Sequence, residues 1–461
     1  MNPLENFYKD STILITGGNG FLGKVLVEKL LRCFDIRKIH LLIRAKNNET
    51  VKERIQNFVN NAIFDFIRKQ SPELLNKLNF IEVNYNLSNL SINEETMSCI
   101  SSEVEIVFNV VASVKFNEKL QDAIEINLLG TKKVVDLVLK LKRLKSFIHV
   151  STLFSNCNRK DVDEKLYEHI LSYHQLASLK EFLKNVEGIQ PIEGLLLGKL
   201  PNTYTLTKHF AEKLVYHQAF YIPCGIFRAP VVISNYHNLN GPAGVVALTL
   251  NGKCHCILGN PRSRSNLVPV DFCINALIAS AWDIHERYSF QNRSDTYDKI
   301  QIYNYIFHDN NLQWRRYMQL IALGLQSNWQ KLLRCNYIIV SSRSTFKFLH
   351  FMFHTIPAYL TDVIAFILGK KIMHRRACKQ MEKILLIMSY FGSREWNFEN
   401  TNVERLVKMT KHFKFQRGYF DFDLRNVDWS EYFKSYVTGM KQYVLKENYG
   451  KVKKTNCSNH L

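Results

Sequence analysis

The chain opens on a short β-branched run, Thr12–Thr16 (TILIT), that ends in a cluster of glycines. After them Phe21, Leu22, Val25, Leu26, Lys29 and Leu30 recur at helical spacing, so the first unit reads as strand, tight turn and helix. Further apolar runs follow at Ile39–Ile43, Leu78–Val83, Val104–Val111, Ser146–Val150 and Gly225–Phe227. The segments between them, such as Asn127–Leu141, are long enough for crossover helices. Strands alternating with helices predict an α/β fold with a doubly wound parallel sheet covered on both faces.

From about residue 300 the texture changes. Glycine becomes scarce, and long aromatic, basic segments with helical periodicity replace the alternation. The polar stretch Gln291–Lys299 marks a boundary between a first domain at 1–295 and a mainly helical C-terminal domain at 300–450, with a polar tail at 451–461. The most apolar stretch, Phe346–Leu368, is near the length of a membrane span, but His350, His354, Pro357 and Asp362 interrupt it. It reads as a buried or membrane-surface helix pair. The basic run Lys370–Lys379 (KKIMHRRACK) follows it directly and suits an anionic membrane face, phosphate groups, or a solvated helix end whose cations complement the dipole.

Composition narrows the class. A chain of 461 residues with 46% hydrophobic content can bury a sizeable core in two domains, and it is neither disordered nor repetitive. The 61 Lys and Arg against 41 Asp and Glu give a formal charge of +20, which favours polyanionic partners; no nucleic-acid-binding motif accompanies it. The ten cysteines form no C-x-x-C pair, and Cys254-His255-Cys256 lacks a second ligand pair, so no metal site is expected. With a polar N-terminus, this cysteine usage predicts an intracellular, reducing location without a cleaved secretory signal.

The glycine cluster carries the first chemistry. In Thr16-Gly17-Gly18-Asn19-Gly20-Phe21-Leu22-Gly23 the glycines at 17, 20 and 23 reproduce the T-G-x-x-G-x-x-G form of the dinucleotide fingerprint, set between a strand and an amphipathic helix. Missing side chains let the backbone turn, approach a pyrophosphate and pack helix on strand, while the helix N-terminus offers N–H groups. The first domain is therefore expected to be Rossmann-type. After the second strand, Arg44 and Lys46 stand where an NAD enzyme would be expected to offer an acid to the ribose, and an Arg there pairs with a 2′-phosphate instead. The expected cofactor is NADPH.

A second constellation lies downstream. His149-Val150-Ser151-Thr152 closes the fifth strand, and Tyr204-Thr205-Leu206-Thr207-Lys208 opens a helix. Tyr204 and Lys208, four apart, share one helix face, and a nearby ammonium is expected to lower the phenol's pKa and make it a proton donor. Thr152 or Ser151 is expected to hold a substrate carbonyl oxygen beside that phenol, at the strand end where open α/β sheets place ligands.

With these residues in place the chain resembles an extended short-chain dehydrogenase/reductase and, more narrowly, the alcohol-forming fatty acyl-CoA reductases of insect type. TGGNGFLG, LLIRAK, HVSTLFSN, LPNTYTLTKHFAE and LVPVDFCINALIASAW match in the family's order. In the second domain so do IPAYLTDVIAFILGKK, WNFEN and FDFDLRNVDWSEYF, and the likeness runs over residues 8 to 447. It implies NADPH-dependent reduction of a long-chain or very-long-chain acyl-CoA to a primary alcohol through an aldehyde, at the surface of a membrane such as the peroxisome or endoplasmic reticulum. It also implies that Lys208 holds the nicotinamide ribose. Two departures stand out. Val83-Asn84-Tyr85-Asn86 replaces the family's Gly-Asp pair, and VISNYHNLNG, from Val232 to Gly241, is shorter than the family's loop and lacks its Pro-Gly-Trp. Two alternatives share the motifs: a sugar-nucleotide epimerase or dehydratase, and a catalytically weakened NADP-binding protein of the same fold.

Overall fold

The computed structural model describes residues 1–45, 49–87, 89–183, 190–218, 222–235, 241–290, 300–324 and 338–444. Seven parallel strands form the central sheet: β1 (Thr12–Thr16), β2 (Lys38–Ile43), β3 (Leu78–Glu82), β4 (Ile106–Asn109), β5 (Ser146–Thr152), β6 (Cys224–Ala229) and β7 (Gln301–Asn304). Their spatial order is 3-2-1-4-5-6-7, a doubly wound arrangement whose direction reverses between β1 and β4. Every residue of β1, β4, β5 and β6 is buried, as continuous apolar runs require when both sheet faces are covered.

The helices that matter for the site are α1 (Phe21–Cys33), α2 (Gly130–Val138), α3 (Thr203–Gln218), α4 (Pro242–Leu250), α5 (Val270–Phe290) and α6 (Trp314–Gly324). They continue as α7 (Arg343–His350), α8 (Ile356–Ile367), α9 (His374–Gly392), α10 (Thr401–Thr410) and α11 (Trp429–Gly439). Helix α1 packs with α5, and α2 with α3, giving the two helical layers. The expected boundary at 291–299 and the tail at 451–461 lie outside the described residues. Beyond that boundary, Gln301–Asn304 joins the sheet as its edge strand beside β6, and α10 packs on it. Trp396, Phe398, Val403 and Leu406 belong to the same core as the sheet. A smaller core joins α4, α6 and α11 through Val246, Tyr317, Met318, Phe433 and Tyr436.

The apolar stretch Phe346–Leu368, expected as a helix pair, is one continuous helical run up to Ile367. Helix α7 runs through a π-turn at Phe351–Thr355 into α8, which has Pro357 in its first turn, where a missing N–H costs nothing. Gly369, at φ +65°, turns the chain. Asp362 of α8 accepts from the backbone N–H groups of Met373 (3.2 Å), His374 (2.9 Å) and Arg375 (2.9 Å), fastening the start of α9 to α8. These bonds hold the Asp362 carboxyl well below its ordinary range. Among the described residues no helix is long and apolar enough to cross a membrane.

Candidate active site

The glycine turn is built by steric necessity. Gly17 sits at φ +69°, and a Cβ on it would lie 2.7 Å from the backbone of Val111. A Cβ on Gly23 would lie 2.3 Å from the Gly17 carbonyl oxygen, so the first turn of α1 can approach the loop only without side chains. The Gly20 N–H closes the turn on the Gly17 carbonyl at 2.8 Å. Thr16, fully buried, ties the loop down by donating to Asn109 Oδ1 at 2.7 Å and accepting from the Val111 N–H at 3.3 Å. Gly18 packs against Leu41, and Asn19 is half-buried at the tip of the turn. No side chain caps α1, so its first N–H groups are left to an anion beside Gly17, Gly20, Phe21, Leu22 and Gly23, which line one central cavity. This cradle, which any Cβ would fill, fits a dinucleotide pyrophosphate.

Arg44 lies exposed just past the end of β2, while Lys46 falls outside the described residues. Two cations that the sequence pattern does not single out gather there: Arg54 donates to the Arg44 carbonyl, and its charge and burial lower the pKa of Lys24. Asn84 accepts from the Asn86 N–H at 2.9 Å in a local turn, and the buried Tyr85 hydroxyl has no hydrogen-bond partner among the described residues.

The catalytic residues expected from sequence meet at the far end of the same cavity. Asn202 caps α3 by accepting from the Thr205 N–H at 2.9 Å, which puts Tyr204 in the first turn and Lys208 one turn on, both facing the end of β5. Thr152 lines the cavity beside the Tyr204 phenol and draws its pKa down. Ser151 does not share that task. Its Oγ donates to Glu212 Oε1 at 2.5 Å, beside a Ser155 bond of 2.8 Å, and Arg228 grips the same carboxylate with Nη2 at 2.8 Å and Nε at 3.1 Å. Glu212 and Arg228 are both buried, and removing one partner of such a pair costs about 3–5 kcal/mol, so this cluster is a structural anchor under the strand end. Thr152 is the hydroxyl left facing the phenol.

One expectation is overturned. The ammonium was to lower the phenol's pKa, but burial pushes Tyr204 up to about 12 against the pull of Thr152. The reason is where Lys208 points: its Nζ donates to the Val150 carbonyl at 2.6 Å and meets His149 Nε2 at 3.2 Å. Burial brings Lys208 itself down to about 8, against the pull of the Glu212 charge. The hydrogen-bond network pushes the same way. Thr16 donates to Asn109 Oδ1, so the Asn109 amide donates to His149 Nδ1 at 3.0 Å and leaves the His149 proton on Nε2, facing Lys208. A neutral amine accepts that proton's hydrogen bond and an ammonium cannot. Thr16, Asn109, His149 and Lys208 thus form one buried chain from the glycine turn to α3. Sequence shows each residue; only the fold shows that they touch.

The cavity, about 640 Å³, continues past Tyr204 between α4, α6 and α9. Its walls there are Val245, Leu248, Met318, Met381, Leu385 and Met388. Phe116 stands 6.0 Å from the Tyr204 ring and stacks at 5.5 Å on Phe391 of α9, so the C-terminal region forms the ceiling over Tyr204. Trp396 Nε1 (3.0 Å) and the Tyr390 hydroxyl (3.1 Å) both donate to the Cys157 carbonyl, holding α9 against the turn after β5. A dinucleotide cradle, a phenol with an adjoining hydroxyl, and an apolar chamber are therefore one continuous space, suited to a ligand with a reducible carbonyl at the head of an aliphatic chain.

Residues 15–277 match the NAD-binding family described as male sterility protein, and 353–447 match the Sterile family of the same description. Over 458 residues, 97% of this chain and 86% of the relative, the chain is 33% identical to fatty acyl-CoA reductase wat of Drosophila melanogaster. The chain belongs to the fatty acyl-CoA reductase family. Fatty acyl-CoA reductase 1 of Homo sapiens is 30% identical over 461 residues, covering 97% of this chain and 87% of that protein. Among solved structures, the reductase domain of a nonribosomal peptide synthetase from Mycobacterium tuberculosis superposes with a TM-score of 0.59 at 15% identity, covering 95% of this chain and 92% of that one. UDP-glucuronic acid 4-epimerase from Bacillus cereus, in complex with NAD, gives 0.54 at 14% identity, covering 94% and 97%. Both carry the Rossmann-type fold, and at that identity the likeness is one of fold alone. The chain is an oxidoreductase acting on a fatty acyl group with a nicotinamide cofactor.

Proposed function

We propose that this reductase converts a long-chain or very-long-chain acyl-CoA to the primary alcohol, through an aldehyde, with NADPH, at a membrane surface such as the peroxisome or endoplasmic reticulum. The observation that carries the reading is the unbroken cavity from the glycine turn past Tyr204 into an apolar chamber. A bound nicotinamide supplies hydride to the thioester carbonyl carbon and, in a second turnover, to the aldehyde. Tyr204 and Thr152 meet the oxyanion that forms, and Tyr204, protonated at neutral pH, gives it a proton. Collapse of the resulting hemithioacetal expels coenzyme A and leaves the aldehyde in a chamber whose walls exclude water. Lys208 is assigned the nicotinamide ribose and the proton supply behind Tyr204. Arg44, with Lys24 and Arg54 beside it and Lys46 close in sequence, is assigned the 2′-phosphate. The apolar chamber counts against a sugar-nucleotide substrate, whose hydroxyls would be left unpaired there.

The coenzyme reading is tested by the oxidation of NADPH and NADH on addition of long-chain acyl-CoA. The parent enzyme should use NADPH at least tenfold more efficiently. Arg44→Asp should cancel most of that preference by turning an attraction for the 2′-phosphate into repulsion. An equal loss with both coenzymes would remove Arg44 from the role, and no oxidation of either by the parent enzyme would contradict the reaction.

A further inference from the structure

Outside the cavity, the most unusual surface is the lobe made by the π-turn, α8 and the start of α9. Single exposed apolar residues are ordinary, but here they crowd one short segment: Phe351 is 53% exposed, Leu360 60%, Phe366 72%, Ile367 74% and Met373 57%. Their backbone is not loose. Asp362, buried within the lobe, satisfies three N–H groups of the turn, so the lobe keeps its shape while offering its apolar face outward. The flanking charge has one sign. Residues 370–383 contain six Lys and Arg and a single acid, Glu382. Arg376, Lys379 and Lys383 follow one another at helical spacing along the exposed side of α9 and make no ion pair among the described residues. The opposite side of that helix, Met381, Leu385 and Met388, lines the cavity, and Ile384 does both, lining it while 46% exposed.

We infer that residues 351–373 form a lobe that seats in one leaflet of an anionic membrane, with Arg376, Lys379 and Lys383 on the lipid headgroups, and that the acyl chain passes between lipid and cavity at Ile384. An amphipathic element of this kind lies in the interface rather than crossing it, and cations beside it are drawn to an anionic surface. The inference rests on the membrane reading proposed above and adds which surface makes the contact and where the substrate enters.

The test uses the full chain with vesicles of phosphatidylcholine alone or with phosphatidylserine. The parent protein should float with the anionic vesicles and be weakened there by high salt. Phe366→Glu/Ile367→Glu, on the apolar face, and Arg376→Glu/Lys379→Glu, on the basic stripe, should each lose at least tenfold in vesicle binding. Both should also lose turnover of vesicle-borne long-chain acyl-CoA, while NADPH binding and turnover of a water-soluble short-chain acyl-CoA stay at parent level and show that the site is intact. Variants that float like the parent overturn the inference. So does a parent protein that ignores vesicles and instead forms a dimer that the Phe366→Glu/Ile367→Glu change splits, which would assign the face to a second copy of the chain. Loss of short-chain turnover in the parent enzyme would fault the reaction assigned above and not the lobe.

Discussion

Tyr204→Phe is expected to bind NADPH as the parent does and to lose about a hundredfold or more in kcat, ~2.7 kcal/mol of transition-state stabilisation, the usual weight of a positioned acid. The ring lies between α3 and Phe116, and its packing survives the change; only the hydroxyl that meets Thr152 and the oxyanion is removed. Because burial holds the phenol near 12, the group stays protonated across the whole neutral range, and the loss should be the same at pH 6 and pH 7, below the Lys208 titration. A variant that reduces acyl-CoA at the parent rate would rule out phenol acid catalysis, however well the motif matches.

Lys208→Met is the second large effect. It keeps the length of the side chain but removes the bond to the Val150 carbonyl, the partner of His149 and the cation assigned to the ribose. The dissociation constant for NADPH should rise about tenfold, and kcat should fall by about a hundredfold. The pH profile separates a working lysine from a packing one. Lys208 is brought down to about 8, so the parent kcat should fall as pH rises through that value and the ammonium discharges, whereas the variant should be flat there. The groups facing Lys208 are His149 from β5, which burial keeps neutral, and Glu212 from its own helix, which stays ionised against Arg228. Stability moves the other way. The folded pKa lies below the unfolded value, so the burial penalty on the ammonium is present in full below about 8 and disappears as pH rises toward 10.5. Lys208→Met therefore sheds that penalty at neutral pH, and a large drop in its unfolding temperature would point to a structural lysine instead.

How much of this could be read from the chain follows from what each feature depends on. The glycine turn was legible because its constraint is local: Gly17 and Gly23 are dictated by backbone contacts within a few residues of each other and one neighbouring strand. The strands β1, β2, β4, β5 and β6 were legible because buried parallel strands are continuous apolar runs, and the partly buried edge strand β3 showed as a shorter one. Gln301–Asn304 was not, since four residues beyond an apparent boundary carry no pattern that separates an edge strand from a loop. Tyr204, Lys208 and Thr152 were legible as a motif, yet the direction of the phenol's pKa was misread, because it depends on burial and on the Val150 carbonyl and His149 drawing Lys208 away. Ser151 and Thr152 are adjacent hydroxyls in sequence. Only Glu212, a turn beyond Lys208 on α3, decides which of them is tied off. Nothing in the sequence marks Phe391 and Met381 to Met388 as ceiling and chamber wall, since a cavity wall and a packed interior share one helical periodicity.

Both reductions of one acyl group are proposed to take place in this single cavity. Purified enzyme, long-chain acyl-CoA and NADPH deuterated at both C4 positions, followed by mass analysis of the lipid product, tests this directly. Primary alcohol carrying two deuterium atoms at C1 is expected, with two NADPH consumed for each coenzyme A released. Aldehyde accumulating with one deuterium and no alcohol, at one NADPH per coenzyme A, would contradict it.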